Sequence, residues 1–144
     1  MKFLDNVPDY LFFTGKGGVG KTSISCATAI KLAESEKKVL LVSTDPASNV
    51  GQVFSQTIGN TITQISAVPN LSAIEIDPQA AAEEYRKKII DPIKDSLPAA
   101  VIQSITEQLS GACTTEIAAF DEFTGLLTDI KITNQFDHII FDTA

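Results

Sequence analysis

The feature that most constrains the fold is a glycine-rich stretch between an apolar run and a helical pattern. It has the form G-x-x-x-x-G-K-[ST], and its residues are Gly15, Lys16, Gly17, Gly18, Val19, Gly20, Lys21 and Thr22. The apolar run 10–13 precedes it, and a helical pattern begins near Ser23. Because glycine lacks a Cβ, the backbone N–H groups of such a loop can turn inward and form an anion-binding nest at the helix N-terminus. The pattern therefore predicts a phosphate-binding loop between a strand and a helix.

A phosphate-binding loop predicts roles for three of its side chains. Lys21 supplies a cation for the β- and γ-phosphates, and Thr22 offers a hydroxyl to Mg²⁺. Lys16, directly after the first glycine, resembles the signature lysine of the deviant Walker A loop, K-G-G-x-G-K-[ST]. In that class two folds face each other across bound nucleotide, so the resemblance implies that Lys16 reaches the phosphates of the opposite subunit or half. A solvated lysine beside a phosphate site is the alternative.

Composition limits the class of protein. With 144 residues, 44% hydrophobic and 20% charged, the chain has the size and composition of one soluble globular domain. No apolar run approaches the roughly 20 residues that a membrane span requires, and residues 1–5 lack the features of a secretory signal. We therefore expect a cytoplasmic protein.

Charge and cysteine spacing exclude further classes. The net charge of −7 argues against nucleic acid as a partner, because binding to a phosphate backbone requires clustered lysine and arginine. The two cysteines, Cys26 and Cys113, lack the C-x-x-C spacing of a zinc or redox pair. Cys26 falls in the second turn of the first predicted helix, where we expect a small buried hydrophobic residue.

A second apolar run, residues 39–43, completes a strand–helix–strand unit with the first run. We expect residues 10–14 to form the central strand of the sheet, buried on both faces. In open α/β sheets, ligands bind beyond the carboxyl ends of the strands, so residues 44–49 emerge on the same edge as the phosphate-binding loop. Asp45 can therefore face the nucleotide, although an Asp-Pro turn opener explains it equally well.

The sequence pattern in the middle of the chain predicts mostly helices. The predicted elements are a short helix at 50–54, a strand at 71–76 and helices at 79–90, 99–109 and about 114–130. Asp77 is a suitable cap for the first of the long helices, with Pro78 at its first position. Thr114 or Thr115 is expected to cap the last one. We interpret residues 78–130 as a helical insert within a single, partial nucleotide-binding domain that spans 1–144.

The last residues form an apolar run that ends in an acid. Residues 137–142 have the Walker B pattern, in which a carboxylate, here Asp142, holds Mg²⁺, usually through water. His138, the only histidine, lies at the start of this strand, away from the ligand edge, so we interpret it as structural.

Four stretches together carry a family resemblance. They are G-K-G-G-V-G-K-T at 15–22, D-P-A-S-N at 45–49, A-C-T-T-E-I-A-A-F-D-E-F at 112–123 and H-I-I-F-D-T-A at 138–144. They resemble the arsenite-transporting ATPases, the soluble motors of bacterial arsenical pumps, and the resemblance extends along the whole chain. It implies a P-loop NTPase of the deviant Walker A class, an α/β fold with a doubly wound, mainly parallel sheet and a helical insert, which hydrolyses ATP with Mg²⁺.

The resemblance also implies a role for each site residue. Lys21 and Thr22 bind phosphate and Mg²⁺, Asp45 is the switch I carboxylate that orients the attacking water, and Asp142 supports Mg²⁺. Thr22, Asp45 and Asp142 would thus surround the metal. Cys113 would be a thiolate ligand for As(III) or Sb(III), the allosteric activators. The residues alone leave an alternative, an inert cysteine near a helix cap, because nearby acids raise the pKa of a thiol.

Partners and extent follow from the same resemblance. The family drives a membrane arsenite efflux protein, so we expect peripheral attachment at the inner face of the membrane, a facing homologous half or second subunit, and a metalloid-delivering chaperone as a candidate partner. The family continues beyond D-T-A with switch II. We therefore expect an N-terminal fragment of the first half, incomplete at the C-terminus and slow or inactive by itself.

Other members of the loop class remain as alternatives. A tail-anchored-protein targeting ATPase shares D-P-A, but its client groove is methionine-rich and Met1 is the only methionine here. Partitioning and septum-positioning ATPases would carry a basic face or a C-terminal membrane helix, and a nitrogenase iron protein would need paired cysteines. A nucleotide-binding fragment without catalysis is the non-enzymatic alternative.

Overall fold

A computed structural model describes residues 2–15, 20–45 and 49–143. The strands are β1 (Tyr10–Phe13), β2 (Val39–Ser43), β3 (Thr63–Gln64), β4 (Leu71–Glu75) and β5 (His138–Asp142). The helices are α1 (Lys21–Glu34), α2 (Val50–Phe54), α3 (Pro78–Ile90), α4 (Ala99–Gln108), α5 (Ala112–Thr128) and α6 (Ile130–Thr133), and a 3₁₀ turn, Lys2–Asp5, precedes β1.

The strands form one sheet in the order β1-β5-β2-β4-β3. β1, β5, β2 and β4 are parallel, and only the short edge strand β3 runs antiparallel. In this register Asp142 lies beside Phe13 of β1 and Ser43 of β2, and Ser43 lies beside Glu75 of β4. The predicted α/β fold with a mainly parallel sheet is confirmed, and the carboxyl ends of four strands meet at one edge.

Helices cover both faces of this sheet and create two cores. On one face, Leu41 and Ile140 pack with Cys26, Ala29 and other residues of α1. On the other face, residues of β2, β4 and β5 pack against α5 and α6. All five residues of β2 are buried, and the first four of them, 39–42, are an unbroken apolar run. Burying one leucine side chain stabilises the fold by about 1.5–3 kcal/mol, so β2 is a large contributor.

The prediction that residues 10–14 form the central strand, buried on both faces, is wrong for the described part of the chain. There β1 pairs only with β5, and Tyr10 and Phe12 are 40% and 48% exposed. Phe12 packs on Phe141 and Phe123, with ring centroids 4.6 and 6.1 Å away. An apolar run indicates that a strand can be buried in a sheet. It does not specify the neighbouring strands or the helices that cover that strand.

The start of α3 is as predicted. Asp77 accepts hydrogen bonds from the backbone N–H groups of Gln79, at 2.9 Å, and Ala80, at 3.3 Å. Pro78 occupies the first turn, where the missing N–H has no helical partner to lose. A cap of this kind contributes about 1 kcal/mol.

The boundaries predicted for the last long helix are wrong at both ends. α5 begins at Ala112 after Gly111, so Thr114 and Thr115 lie inside its first turn and cap nothing. At its other end, the carboxylate of Asp129 accepts from the N–H of Lys131 at 2.9 Å and caps α6, which separates Ile130 from α5. Threonine and glycine are both common near helix starts, so residue type alone did not decide the position.

Small side chains bring α3 and α5 together. Ala81 and Ala82 of α3 contact Ala118 of α5, and Tyr85 packs against them. α3 follows β4 directly, so this contact connects α5 to the sheet edge. α3, α4 and α5 fill most of the range 78–130, whose status as an insert stays a prediction. No helix of the described residues has the length and apolar character that a membrane crossing requires.

Candidate functional site

The candidate site lies where α1 begins, at the carboxyl edge of β5 and β2. Lys21 and Thr22 are the first two residues of α1, and Gly20 precedes them with a φ of 80°. That conformation is left-handed, which glycine adopts without the steric cost that a Cβ imposes. The loop sequence therefore permits a turn that delivers the lysine and the threonine to the sheet edge.

Lys21 is a buried cation held by groups from two strand ends. Its Nζ donates to Oδ2 of Asp45 at 3.0 Å and to the backbone carbonyl of Thr143, and it lies 3.7 Å from Oδ1 of Asp142. The side chains of Lys21 and Asp45 are only 7% and 16% exposed. A buried ammonium needs such partners, because desolvation of an unpaired charge costs several kcal/mol.

Asp142 is fully buried and only partly hydrogen-bonded. Its Oδ2 accepts from the hydroxyl of Thr22 at 2.8 Å, whereas Oδ1 has no hydrogen-bond partner among the described residues. A buried carboxylate oxygen without a hydrogen bond is uncommon and costly. Hydroxyl and carboxylate oxygens are the ligands that Mg²⁺ prefers, so Thr22 and Asp142 fit a role in holding this ion.

Backbone hydrogen bonds fix the two acids relative to each other. The N–H of Thr44 donates to the carbonyl of Asp142 at 3.0 Å, directly before Asp45. On the other side of β5, the backbone N–H and the hydroxyl of Thr143 both donate to the carbonyl of Phe13, at 3.1 and 3.0 Å. The ends of β1, β5 and β2 are thereby joined around Lys21.

The structure brings together four of the sequence-predicted site residues: Lys21, Thr22, Asp45 and Asp142. Gly15 and Gly20 are the two glycines of the predicted loop that the structure describes. Lys16, Gly17, Gly18 and Val19 fall outside the described residues, as do residues 46–48 of the predicted Asp-Pro turn. The functional roles of all these residues stay predictions. The sequence did not predict that the carbonyl of Thr143 accepts a hydrogen bond from Lys21. Every residue has a backbone carbonyl, so residue type does not indicate which one takes part in a site.

Cys113 belongs to α5, which supplies none of these four side chains. It is exposed, in the first turn of α5. In the stretches that the structure describes, no group of three or more His, Cys, Asp or Glu residues is arranged to hold a metal ion. A three-coordinate metalloid site would therefore need ligands in addition to Cys113.

Cys26 and His138 have structural environments. Cys26 is buried in the core under α1, as predicted. Burial, followed by the negative charge of Asp142, raises the pKa of its thiol to about 11, against a smaller lowering by a hydrogen bond from Ser25. Nδ1 of His138 lies 2.9 Å from the carbonyl of Pro8, at the end of β5 opposite the site. This geometry agrees with the structural interpretation of the histidine.

The chain is similar over its whole length to ATPases of one family. Residues 8–144 match the model of the family described as anion-transporting ATPase. The chain is 77% identical over 144 residues to an arsenical pump-driving ATPase of Escherichia coli and 75% identical to one of Acidiphilium multivorum. Each of these matches covers 100% of this chain and 25% of the relative.

More distant relatives share the same region. An ATPase get3 of Schizosaccharomyces japonicus is 38% identical over 135 residues, which is 94% of this chain and 40% of the relative. The chain spans about a quarter of the length of the arsenical pump-driving relatives that it matches. On these matches, which include a family model that covers residues 8–144, the chain belongs to the anion-transporting ATPase family.

Proposed function

We propose that the protein carrying this sequence is the ATPase motor of an arsenical pump. The observation that carries the proposal is the cluster of Lys21, Thr22, Asp45 and Asp142 at the carboxyl ends of parallel strands. Ligands of open α/β sheets bind at this edge. The names of the relatives at 77% and 75% identity support the arsenical part of the proposal.

Charge balance supports Mg–ATP as the ligand. Lys21 carries one positive charge and the two aspartates carry two negative charges, so these side chains alone do not favour a phosphate. A Mg²⁺ held by Thr22 and Asp142 would supply the missing positive charge beside the phosphates. We further propose that Lys16 of a facing half or second subunit adds another cation at the same phosphates.

In this proposal Asp45 orients the water that attacks the γ-phosphate. Its carboxylate lies 3.0 Å from Nζ of Lys21, and this ammonium group would contact the phosphates. Asp45 would therefore lie close to the γ-phosphate. A carboxylate can accept a hydrogen bond from the water and hold it in line. Thr22 and Asp142 would hold the metal, and Lys21 would neutralise charge on the phosphates.

Asp45→Asn in the complete protein tests this role. Loss of a positioned carboxylate should lower the turnover number at least about a hundredfold, within the range for a general acid or base. Asp91→Asn, at the exposed end of α3, is the matched control and should leave turnover unchanged. Wild-type turnover in Asp45→Asn would show that the carboxylate does not position the water.

We propose that As(III) or Sb(III) activates hydrolysis through Cys113. Its thiol is exposed in the first turn of α5, where a metalloid ion can reach it. Thiolates are soft ligands that suit these ions. α5 packs on α3, and α3 follows β4 at the site edge, so a ligand bound here can act on the sheet through the proposed helical insert.

Antimonite titration tests the metalloid part. We expect the ATPase rate of the complete wild-type protein to rise with antimonite concentration, and the rate of Cys113→Ser to stay at the basal value. Cys26→Ala, which removes the buried thiol, is the control and should keep the stimulation. Superimposable curves for wild type and Cys113→Ser would mean that Cys113 is not a metalloid ligand.

The relatives' names support a pump as the partner that the motor drives. On the motif resemblance we further propose that this pump is a membrane arsenite efflux protein, driven from the inner face of the membrane, and that a chaperone delivers the metalloid. The alternative, a tail-anchored-protein targeting ATPase, shares the D-P-A stretch at 45–47, and relatives named ATPase get3 are 38% and 40% identical to this chain. That function, like nucleotide binding without turnover, gives no rise in ATPase rate with antimonite.

A further inference from the structure

Lys21 has a single ammonium group, and groups of the protein surround it. An ammonium carries three N–H donors. Its Nζ donates to Oδ2 of Asp45 at 3.0 Å and to the backbone carbonyl of Thr143. Oδ1 of Asp142 lies 3.7 Å from the same nitrogen. Because the Lys21 side chain is buried, a phosphate oxygen can reach this nitrogen only where one of these three groups withdraws.

Two of the three groups are fixed by further hydrogen bonds. Asp142 belongs to β5, its side chain is fully buried, and its Oδ2 accepts from the hydroxyl of Thr22 at 2.8 Å. The carbonyl of Thr143 belongs to a residue whose N–H and hydroxyl both donate to the carbonyl of Phe13. Moving either group would break hydrogen bonds that join β5 to α1 or to β1.

Asp45 is closer to the surface than the other two groups. Its side chain is 16% exposed, and it lies two positions beyond the end of β2. The carboxylate can withdraw by rotation of its side chain, while the hydrogen bond from the N–H of Thr44 to the carbonyl of Asp142 stays in place. A carboxylate and a phosphate are both anions, so each repels the other and attracts the same cation. The two therefore compete for Lys21.

We propose that Asp45 is a specificity-determining residue, whose carboxylate competes with phosphate for Lys21 and weakens the binding of phosphate ligands that bring no cation of their own. The inference rests on the nucleotide site proposed above. A phosphate that takes the ammonium ends the ion pair of Asp45 with Lys21, and the carboxylate can then accept a hydrogen bond from the attacking water. The exchange of one ion pair thus couples nucleotide binding to the proposed role of Asp45.

The first test measures the binding of metal-free ATP, in the presence of EDTA, to the complete protein by calorimetry. Asp45→Asn should bind this ligand about tenfold more tightly than wild type, because an ammonium that is available about one-tenth of the time weakens apparent binding by that factor. The amide keeps the size of the side chain but is neutral, so it holds Lys21 less strongly. If Asp45→Asn does not fold, Asp45→Ser carries the test.

Glu75→Gln is the matched control for the loss of a nearby negative charge. Glu75 lines the same open cleft as Asp45, and its Oε1 accepts from the backbone N–H of Gly51 at 3.0 Å. Among the described residues it forms no ion pair with Lys21. The glutamine keeps an acceptor for Gly51. Affinity for metal-free ATP should change less than about twofold, because a charge without contact to the ammonium acts only through a screened field.

The second test asks whether Asp45 acts through Lys21. In a Lys21→Ala background the ammonium is absent, so adding Asp45→Asn should change the affinity for metal-free ATP less than about twofold. In the presence of Lys21 the same substitution should give the full gain. The difference between the two backgrounds measures the competition itself.

Three results would overturn the inference. The first is metal-free ATP that binds Asp45→Asn no more tightly than wild type, including the case in which only the affinity for Mg–ATP falls. The second is an equal gain with and without Lys21, and the third is an equal gain in Glu75→Gln. A wild-type protein that shows no saturable binding of Mg–ATP would instead overturn the proposed nucleotide site, on which this inference depends.

Discussion

Lys21 has both a structural and a proposed ligand-binding role. Its Nζ lies 3.7 Å from Oδ1 of the buried Asp142 and 3.0 Å from Oδ2 of Asp45, so it compensates negative charge at the sheet edge. These contacts restrict the rotamers of a long side chain. The Lys21 side chain therefore loses part of its conformational entropy during folding, and less remains to be lost when it binds a phosphate.

The two cysteines have opposite chemical environments. Cys26 is 1% exposed, and burial together with Asp142 raises the pKa of its thiol to about 11, from an ordinary value of 9.0. Cys113 is exposed in the first turn of α5. Because the thiolate is the reactive form, the two thiols should differ strongly in reactivity in the folded protein.

Alkylation of the native protein at pH 8, mapped by mass spectrometry, should show this difference. We expect iodoacetamide to label Cys113 and to leave Cys26 unlabelled until the protein is denatured. Equal labelling of both thiols in the folded protein would contradict the burial of Cys26.

Since the pKa of Cys26 is raised in the folded state, its contribution to stability is complete below about pH 9 and falls as the pH rises toward 11.

Among the individual residues of the site, the sequence predicts those whose side-chain type forms part of a recognisable pattern. Lys21, Thr22 and Asp142 follow from motif patterns, and Asp45 follows from its place after an apolar strand. The carbonyl of Thr143 and the bond between Glu75 and Gly51 were not predictable. The first involves a backbone atom, and the second depends on the relative placement of two segments 24 residues apart in sequence.

Among the elements, α2 shows how a short helix can be fixed by its surroundings. It has only five residues, too few for stability in isolation, and depends on a cap, a buried valine and the carboxylate of Glu75. Its presence was predicted, whereas the two-residue strand β3 was not. A two-residue strand has no detectable alternation, since the pattern needs about four residues.

Gly51→Ala should destabilise the protein through α2. The new Cβ would lie 2.7 Å from the carbonyl oxygen of Gln56, and relieving this overlap should cost about 1–3 kcal/mol. Gly59→Ala is the control, because nothing lies within 4 Å of a Cβ at that position. The melting temperature should fall for the first variant only; equal values would show that the turn can relax without cost.

Gly125→Ala should have the opposite effect on α5. Gly125 lies in the interior of this 17-residue helix, and a Cβ there would meet nothing within 4 Å. Alanine loses less backbone entropy on helix formation, so the variant should be more stable by about 0.5–1 kcal/mol. Thermal unfolding measures the gain, and a lower melting temperature would mean that the glycine has a packing role.

For the whole molecule, the strand order is what assembles the site. β5, the last strand of the described residues, lies between β1 and β2, so Asp142 falls between Phe13 at the end of β1 and Ser43 at the end of β2. Three stretches separated by more than 20 residues thereby meet around Lys21. The sequence indicated a parallel sheet, but the exposed face of β1 was not predictable, because strand order depends on contacts distant in sequence.

The central claim is that this meeting point binds the phosphates of Mg–ATP. Hydrogen exchange of the α1 amides, measured in the complete protein against Mg–ATP concentration, reports the affinity of this site separately from any other. Wild type and Lys37→Ala, an exposed control, should show the same saturable protection. Lys21→Ala should need at least about tenfold more nucleotide, since a charge-assisted contact contributes about 1.5–3 kcal/mol. Superimposable curves for wild type and Lys21→Ala would contradict the claim.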